Sequence, residues 1–210
     1  MEKLDLRKQY KHLFSPSAKK IEVVDVPPLQ FAMVDGHVAA GEGPGDSADF
    51  LEAVAALYGI SYTLKFMVKK RPDNPIDYPV MYLEGLWMTE SYGYDIHKRD
   101  ALTFTVMIMQ PDVITPELFE EARERLLKKK PGPGPARLRL ETFHEGPAIQ
   151  TMHIGPYATE PETVARMNAF AQEHGYTVHG RHHEIYLGDP LRAAQEKLKT
   201  ILRHPVLGQN

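Results

Sequence analysis

A pattern that occurs twice along the 210-residue chain constrains the fold more than any other feature. The segment "GPAIQTMHIGPY" resembles "PPLQFAMVDGHV", since each places a proline, an apolar residue and a glutamine before an alternating stretch that closes in glycine. The segment "EPETVARMNAFAQEHGY" likewise resembles "DSADFLEAVAALYGISY", an amphipathic helix ended by a glycine. "HHEIYLGDP" then takes the place of "VMYLEGLWM". This order predicts a strand-helix-strand-strand unit that is present twice.

A duplication of this kind predicts an α+β fold whose two halves are related by a pseudo-two-fold axis. The halves would span about residues 21–110 and 138–190 of a single domain covering residues 21–210. Each sheet alone would leave an apolar face in water, so the two are expected to pack together. The cleft between them is the natural place for a pocket. Two unrelated α+β halves remain the alternative, because the identities between the repeats are few.

The segments at the two ends of the chain predict an arm and a helix. Residues 1–20 are polar and Lys-rich, which is typical of an N-terminal arm. Residues 190–203 have the spacing of an amphipathic C-terminal helix that covers a sheet. A further helix is predicted to begin after Thr115, with Pro116 at its first position.

The first half of the chain contains predicted strands, a turn and a helix. Asp35 and Gly36 predict a turn after the first strand. The helix is predicted over residues 49–58 and is ended by Gly59. The segments "ISYTLKFMVKK", "YPVMYLEGLWM" and "ALTFTVMIMQP" have the β-branched and aromatic content of strands.

Composition excludes several classes of function. A net charge of −3 and a pI near 6.4 argue against a nucleic-acid-binding surface. The absence of cysteine excludes disulfides, thiolate zinc sites and a cysteine nucleophile. The glycine-rich segments "GEGPGD" and "PGPGP" lack the Lys-Ser/Thr of a phosphate loop, so no cofactor is expected. No apolar run suggests a signal peptide or a membrane span, and we expect a cytoplasmic monomer or homodimer.

The segment "HHEIYLGDP" concentrates candidate functional side chains. On a strand, His182, Glu184 and Tyr186 share one face, whereas His183 and Ile185 share the other. A metal site is disfavoured, because neighbouring ligands on a strand point in opposite directions, unlike the stacked ligands of a helical HExxH motif. No metal is therefore expected.

Glu184 is the preferred functional residue of this segment. A carboxylate on the inner face of a strand loses solvation, so it needs partners or else its pKa rises. In the ionised form it would attract a delocalised cation, and with a raised pKa it would exchange protons near neutrality. A purely structural carboxylate, hydrogen-bonded to Tyr157 or His153, is the alternative that the residues alone favour.

The strand "YPVMYLEGLWM" offers a possible opposing wall. Alternation places Tyr82 and Glu84 on one face and Trp87 on the other, and a bulge at Gly85 would bring Glu84 and Trp87 to the same side. Trp87 is the only tryptophan in the chain. A core anchor is the commoner role for a lone tryptophan.

Several long motifs, in order, resemble the stand-alone GyrI-like small-molecule-binding proteins. They are "YLEGLW", "MIMQPDVITPELFEEA", "HIGPYATEPETV" and "GRHHEIYLGDPLRAAQEKLKTILRHPV", and the similarity extends from about residue 20 to the end. The resemblance implies the duplicated fold of the effector-binding domains found in multidrug-sensing regulators. It also implies a pocket for bulky aromatic, often cationic, compounds. Some members hydrolyse cyclopropane-bearing natural products that alkylate DNA.

The resemblance also implies which residues form the pocket. Glu184 would be its central acid, and Trp87 of the "EGLW" motif would line it. Met88 stands where many relatives have a second aromatic residue, so ligand preference is expected to differ. The other candidate lining residues are Tyr82, Glu84, Tyr58, Tyr62, Met107 and Tyr157.

Two classes of function remain open at this point. The protein would bind hydrophobic or cationic aromatic small molecules for sequestration or detoxification, or it would hydrolyse an electrophilic strained ring. In the second case Glu184 would activate water, with help from the hydroxyl of Tyr157 or Tyr186. A weaker alternative is a ligand-sensing effector module. Binding of DNA by this chain is not expected, since no helix-turn-helix fits into the first twenty residues.

Overall fold

A computed structural model of the chain describes residues 1–89, 101–188 and 194–208. The strands are β1 (Glu2–Lys3), β2 (Glu22–Val26), β3 (Leu29–Val38), β4 (Ile76–Asp77), β5 (Leu83–Thr89), β6 (Leu102–Met109), β7 (Arg139–Phe143), β8 (Gly146–Ile154), β9 (Tyr176–Val178), β10 (His182–Tyr186) and β11 (Lys199–Gly208). The helices are α1 (Leu6–Gln9), α2 (Lys11–Phe14), α3 (Ala48–Lys69), α4 (Pro116–Lys129), α5 (Pro133–Arg137) and α6 (Glu160–Glu173).

The main sheet is antiparallel and has the order β2-β8-β11-β10-β5-β6-β3-β7, with β9 paired to β11. Its centre is the pairing of β10 with β5, which joins the two halves of the chain. On one side of that seam the order is β5-β6-β3, and on the other it is β10-β11-β8. Each half therefore contributes strand, helix, strand and strand in the same spatial order. The fold class is α+β, as the sequence predicts.

The leading strand of each half crosses to the other half. β2 precedes β3 in sequence but pairs with β8, and β7 precedes β8 but pairs with β3. Both edges of the central six strands are thus covered by a strand from the opposite half. This exchange ties the halves together through backbone hydrogen bonds, in addition to the central seam.

The two faces of the sheet are covered by different elements. One face, here called the helix face, packs against α3 and α6: Phe50 of α3 stacks on Trp87 with ring centroids 5.4 Å apart, and Met167 of α6 packs in the core of the second half. The opposite face, here called the arm face, is contacted by the N-terminal segment. Arg203 donates a hydrogen bond to the carbonyl of Leu13, whose side chain is fully buried. The predicted N-terminal arm, residues 1–20, is therefore packed against the sheet at Leu13.

Helix α3 is twice as long as the sequence predicts. Gly59 lies inside it, and the segment "ISYTLKFMVKK", predicted as a strand, forms its second half. Ile60, Leu64 and Val68 recur every fourth residue and are fully buried, so the segment has a helical period despite its β-branched composition. A Cβ at Gly59 would lie 3.1 Å from Leu126 of α4, so glycine there serves close packing of the two helices.

By length and composition, α3 is also apolar enough to cross a bilayer, with a mean hydropathy of 1.2. Buried helices of soluble proteins share this property. Here the helix packs on β3 and β6 and against α4.

The C-terminal helix predicted over residues 190–203 is wrong where the structure describes it. Residues 199–208 form β11, an interior strand between β8 and β10. Ile201 and Leu202 point to opposite faces and both are fully buried, so the strand lacks the alternation by which a strand is recognised. The predicted start of that helix, residues 190–193, lies outside the described residues.

The predicted cap at Thr115 is confirmed, and the predicted turn at Asp35-Gly36 is wrong. Ser47 caps α3 and Thr115 caps α4, each by accepting a hydrogen bond from the backbone three residues on. β3 continues through Gly36 to Val38. A Cβ at Gly36 would clash with the ring of Phe104 and the carboxylate of Asp49.

We expect Gly36→Ala to destabilise the fold. The added methyl group must displace the Phe104 ring, and overpacking of this kind costs about 1–3 kcal/mol. The matched control is Gly45→Ala, because a Cβ at Gly45 meets nothing within 4 Å. Urea unfolding should show a lower midpoint for the first variant and an unchanged one for the second. Equal midpoints would contradict the close approach.

Candidate functional site

Strand β10 carries the predicted cluster at the centre of the sheet. Glu184 pairs with Gly85 of β5 on one side and with Leu202 of β11 on the other. His182, Glu184 and Tyr186 lie on the helix face, whereas His183 lies on the arm face. The alternation read from the sequence therefore holds. Because the cluster lies at the seam, both halves of the chain contribute to it.

Hydrogen bonds hold the Glu184 carboxylate, which is 5% exposed. The Tyr186 hydroxyl donates to Glu184 Oε2 at 2.8 Å, and the indole N–H of Trp87 donates to the Tyr186 oxygen at 3.0 Å. Burial, together with the charge of Glu184, raises the pKa of Tyr186 well above its usual value, so this phenol stays a donor. The structural alternative named His153 or Tyr157 as partner of Glu184. His153 Nδ1 instead lies 2.9 Å from the Thr163 hydroxyl.

Glycine at position 85 makes room for this arrangement. A Cβ there would lie 2.7 Å from Trp87 Nε1 and 3.2 Å from the Tyr186 hydroxyl, at the site of their hydrogen bond. The pairing of β5 with β10 and β6 is continuous through this residue. The predicted bulge at Gly85 is therefore wrong, and Glu84 and Trp87 lie on opposite faces.

The structure adds Glu160, which the sequence analysis missed, to the cluster. It lies in the first turn of α6, is 1% exposed, and its carboxylate comes within 4.8 Å of ligand atoms of both His182 and Glu184. Burial and the charge of Glu184 raise the pKa of Glu160 to about 9, against a smaller opposing effect of Thr200. Glu160 is therefore protonated at neutral pH. A glutamate in the first turn of a helix usually faces solvent, so the local sequence did not mark Glu160 as buried. Only its place in the "HIGPYATEPETV" motif pointed to a special role.

His182 connects Glu184 to a second histidine. Its Nε2 lies 3.1 Å from Glu184 Oε1, an ion-pair distance without the alignment of a linear hydrogen bond. Its Nδ1 lies 2.7 Å from Nε2 of His204 on β11. Burial, reinforced by His182, lowers the pKa of His204 to about 3, so that ring is neutral.

The cluster of Glu160, His182 and Glu184 is compact enough to hold a divalent cation if Glu160 were deprotonated. Its observed contacts suit proton exchange instead. Glu184 already accepts from Tyr186 and contacts His182, and Glu160 carries its proton.

The arm face of the same strands carries a separate network of buried charges. His183 lies between Glu84, 3.0 Å from Nε2, and Glu145, 3.0 Å from Nδ1, and Glu145 also contacts Arg203 at 3.2 Å. Burial alone would lower the pKa of His183, but the two carboxylates outweigh it and raise the pKa to about 9. Burial would likewise raise the pKa of Glu145, but His183 and Arg203 bring it down to about 2. Glu84 therefore belongs to this network and not to the Glu184 cluster.

The other predicted pocket residues are distributed around the molecule. Trp87 is 3% exposed, packed between Phe50 and Phe104, and Tyr157 meets Tyr186 edge to face at 6.1 Å. On the arm face, the Tyr82 ring lies 5.8 Å from Phe14, Met107 is fully buried and Met88 is half-buried. Tyr58 and Tyr62 are 38% and 49% exposed on α3. Of the predicted set, the structure brings Glu184, Tyr186, Trp87 and Tyr157 together.

The described residues form an α+β domain whose two halves share one antiparallel sheet, with a buried acidic cluster at the seam between them. The model of the GyrI-like small molecule binding domain matches residues 19–206. An uncharacterized conserved protein from Listeria innocua is 41% identical, with a TM-score of 0.86 over 97% of this chain and 100% of that one. A hydrolase from Listeria innocua is 39% identical, with a TM-score of 0.86 over 98% of this chain and 100% of that one. The chain therefore belongs to the GyrI-like small-molecule-binding family.

A more distant structure shares the fold alone. The C-terminal domain of EcmrR is 11% identical, with a TM-score of 0.54 over 90% of this chain and 98% of that one. No curated protein matches the chain.

Glu160→Gln should make the protein less sensitive to alkaline pH. The folded-state pKa of about 9 lies above the ordinary 4.5, so the stability that goes with the bound proton is complete below pH 4.5 and is lost as the pH rises through 9. A single proton gives a slope of up to about 1.4 kcal/mol per pH unit. Urea unfolding from pH 5 to 9 should show a shallower decline for the variant. His183 contributes a decline of its own from 6.5 to 9 in both proteins.

The control for this experiment is Glu173→Gln, which removes an exposed carboxylate from the same helix. Its decline should match that of the unmodified protein. If Glu160→Gln also matched it, Glu160 would not hold a proton in the folded state at neutral pH.

Proposed function

We propose that this protein hydrolyses aromatic small molecules that carry an electrophilic strained ring, such as a cyclopropane conjugated to a carbonyl group. The observation that carries the proposal is the pair of buried carboxyls, Glu160 and Glu184, which lie side by side in different hydrogen-bonding environments. Neighbouring carboxyls whose environments favour different protonation states are suited to act as acid and base in one reaction. Two Listeria innocua structures named as hydrolases, 38% and 39% identical to this chain, support it.

The proposed reaction adds the oxygen of one water molecule to a ring carbon and a proton to the conjugated carbonyl oxygen, and it breaks one ring bond. Glu184 accepts a proton from water while the water oxygen bonds to a ring carbon. The strained C–C bond breaks, and its electron pair moves through the conjugated system to the carbonyl oxygen. That oxygen takes the proton of Glu160 and becomes a hydroxyl group. A proton then passes from Glu184 to Glu160, which restores the starting state.

The neighbouring aromatic residues give this reaction its geometry. Trp87 fixes the Tyr186 hydroxyl, and Tyr186 fixes one oxygen of Glu184, so the base is held by a chain of two hydrogen bonds. Because Trp87 is packed on both Phe50 and Phe104, it acts here as a positioning residue more than as a stacking platform. The half-buried ring of Tyr157 is better placed to contact a flat ligand.

Glu184→Gln should slow hydrolysis of a neutral cyclopropane substrate while leaving binding largely intact. The amide keeps the shape of the carboxylate but cannot accept a proton, and general-base assistance is worth about 10² to 10⁴ in rate. The measurement is mass spectrometry of the ring-opened, hydrated product of a cyclopropane-bearing indole alkylator. Glu173→Gln again serves as the matched control and should retain full activity.

An unchanged rate in Glu184→Gln would refute its role as base. If the unmodified protein turned over none of a series of such compounds, the hydrolase proposal itself would fail.

The second candidate function is sequestration of cationic aromatic compounds in the cytoplasm. Its support is a buried carboxylate, Glu184, among the aromatic rings of Tyr157, Tyr186 and Trp87. A delocalised cation would gain both ion pairing and ring stacking there, and would need no turnover. In that case Glu160 would release its proton when the ligand binds, since a nearby positive charge lowers the pKa of a carboxyl group.

Binding of a cationic dye provides the test. A rhodamine should quench the fluorescence of Trp87, the single tryptophan in the chain. Glu184→Gln should weaken the dye about tenfold or more, which corresponds to about 1.4 kcal/mol. A neutral compound of the same shape should lose much less. Equal losses for both ligands would contradict the charge role.

A further inference from the structure

The contact between His182 and His204 imposes a constraint on where their hydrogens lie. The two rings are 4% and 6% exposed, and their facing nitrogens are 2.7 Å apart, so one hydrogen lies between them. His204 is neutral and has a single ring hydrogen. The position of that hydrogen on His204 determines which nitrogen of His182 is protonated.

Two arrangements are possible, and the surroundings favour one of them. If His204 carries its hydrogen on Nε2, it donates to Nδ1 of His182, and the hydrogen of His182 lies on Nε2. If His182 donates instead, the hydrogen of His204 lies on Nδ1, a buried atom with no hydrogen-bond partner among the described residues. Nε2 of His182, which carries the hydrogen in the first arrangement, is not aligned for a linear hydrogen bond either, so its contact with Glu184 decides between the two.

The contact with Glu184 favours the first arrangement. His182 Nε2 lies 3.1 Å from Glu184 Oε1. A bare nitrogen lone pair at that distance would repel the carboxylate, whereas an N–H dipole attracts it. The contact of His182 with Glu184 therefore places a hydrogen on Nε2 of His182. Nδ1 of His182 is then the acceptor, so the hydrogen of His204 lies on its own Nε2.

We propose that His204 is a positioning residue for Glu184: by donating its Nε2 hydrogen to His182, it holds that ring in the tautomer whose N–H faces the Glu184 carboxylate. The inference rests on the proposed acid–base function of Glu160 and Glu184, which it deepens. It explains how one carboxyl of the pair becomes the base and the other keeps the proton.

The charged and titratable groups around the pair are consistent with this role. Glu184 faces Tyr186 and His182 on its own strand, Glu160 on α6, and Tyr157 just before α6. Glu160 faces Glu184 and the hydroxyl of Thr200. Donors are therefore concentrated on Glu184, and hydrogen bonds to a carboxylate stabilise its ionised form. The shared proton consequently lies on Glu160.

The direct test is nuclear magnetic resonance of protein labelled with ¹⁵N-histidine. The ring-nitrogen shifts of His182, assigned by their loss in His182→Gln, should show a protonated Nε2 and a bare Nδ1. In His204→Leu the donor is removed and the two tautomers should mix. In His204→Gln the amide N–H₂ lies near the former Nε2 and should restore the unmodified pattern.

Kinetics provide the second readout. In His204→Leu the acid limb of the profile of kcat/KM against pH should move upward by about half to one pH unit, because the ionised form of the base loses the N–H dipole of His182 that favours it. KM should change little, and His204→Gln should behave like the unmodified enzyme. A merely structural role for His204 would lower Tm in the leucine variant without moving the profile or the tautomer.

Two results would overturn the proposal: hydrogen on Nδ1 of His182 in the unmodified protein, or an unchanged tautomer in His204→Leu. The first measurement needs only His182→Gln for its assignment, so it decides the matter even if the leucine variant does not fold. Absence of turnover in every protein would instead refute the hydrolase function, while the resonance data would still decide the role of His204.

Discussion

The buried ion network on the arm face is the interaction on which the rest of the structure depends. Arg203 and His183 lie against Glu84 and Glu145, and all four side chains are at most 2% exposed. They come from β5, β10, β11 and the connection before β8, and Arg203 also holds the carbonyl of Leu13 in the N-terminal segment. Removing one partner of such a network leaves a buried charge uncompensated, at a cost of about 3–5 kcal/mol. The network therefore fixes the register of the central strands, and with it the position of everything on the opposite face.

Strand β10 links this network to the proposed acid–base pair. Because successive side chains point to opposite faces, His183 is fixed in the ion network while its neighbour Glu184 faces α6. A shift of one residue would exchange the two faces and place Glu184 among the carboxylates of the arm face. The ion network thus fixes the register of β10, and with it the face of the sheet on which Glu184 lies. Rigid support from a second layer of contacts is what a proton-exchanging site needs, since its geometry must be held to within fractions of an ångström.

Sequence reasoning failed mainly at the boundaries of the repeated unit. Each half has the order strand, helix, strand, strand, but the segments that form its last two strands were misassigned. The second half of α3 was read as a strand and β11 as a helix. The two errors have different causes. The second half of α3 contains β-branched and aromatic residues that outweighed its helical period, and β11 is buried on both faces, so it lacks the alternation of a strand. The pairing partners in the sheet decided these segments, and pairing partners are far away in sequence.

The sequence by itself determined the features whose causes lie within a few residues. The cap at Thr115, the alternation of side chains along β10 and the motifs that place the chain in its family needed no tertiary information. The tertiary structure alone decided that Glu160 lies beside Glu184 and that Glu84 lies on the other face. These facts depend on how α6 packs on the sheet and on an unbulged register at Gly85. Local hydrogen bonds and side-chain periods are set by neighbouring residues, whereas the burial that holds a proton on Glu160 exists only when distant segments pack around it.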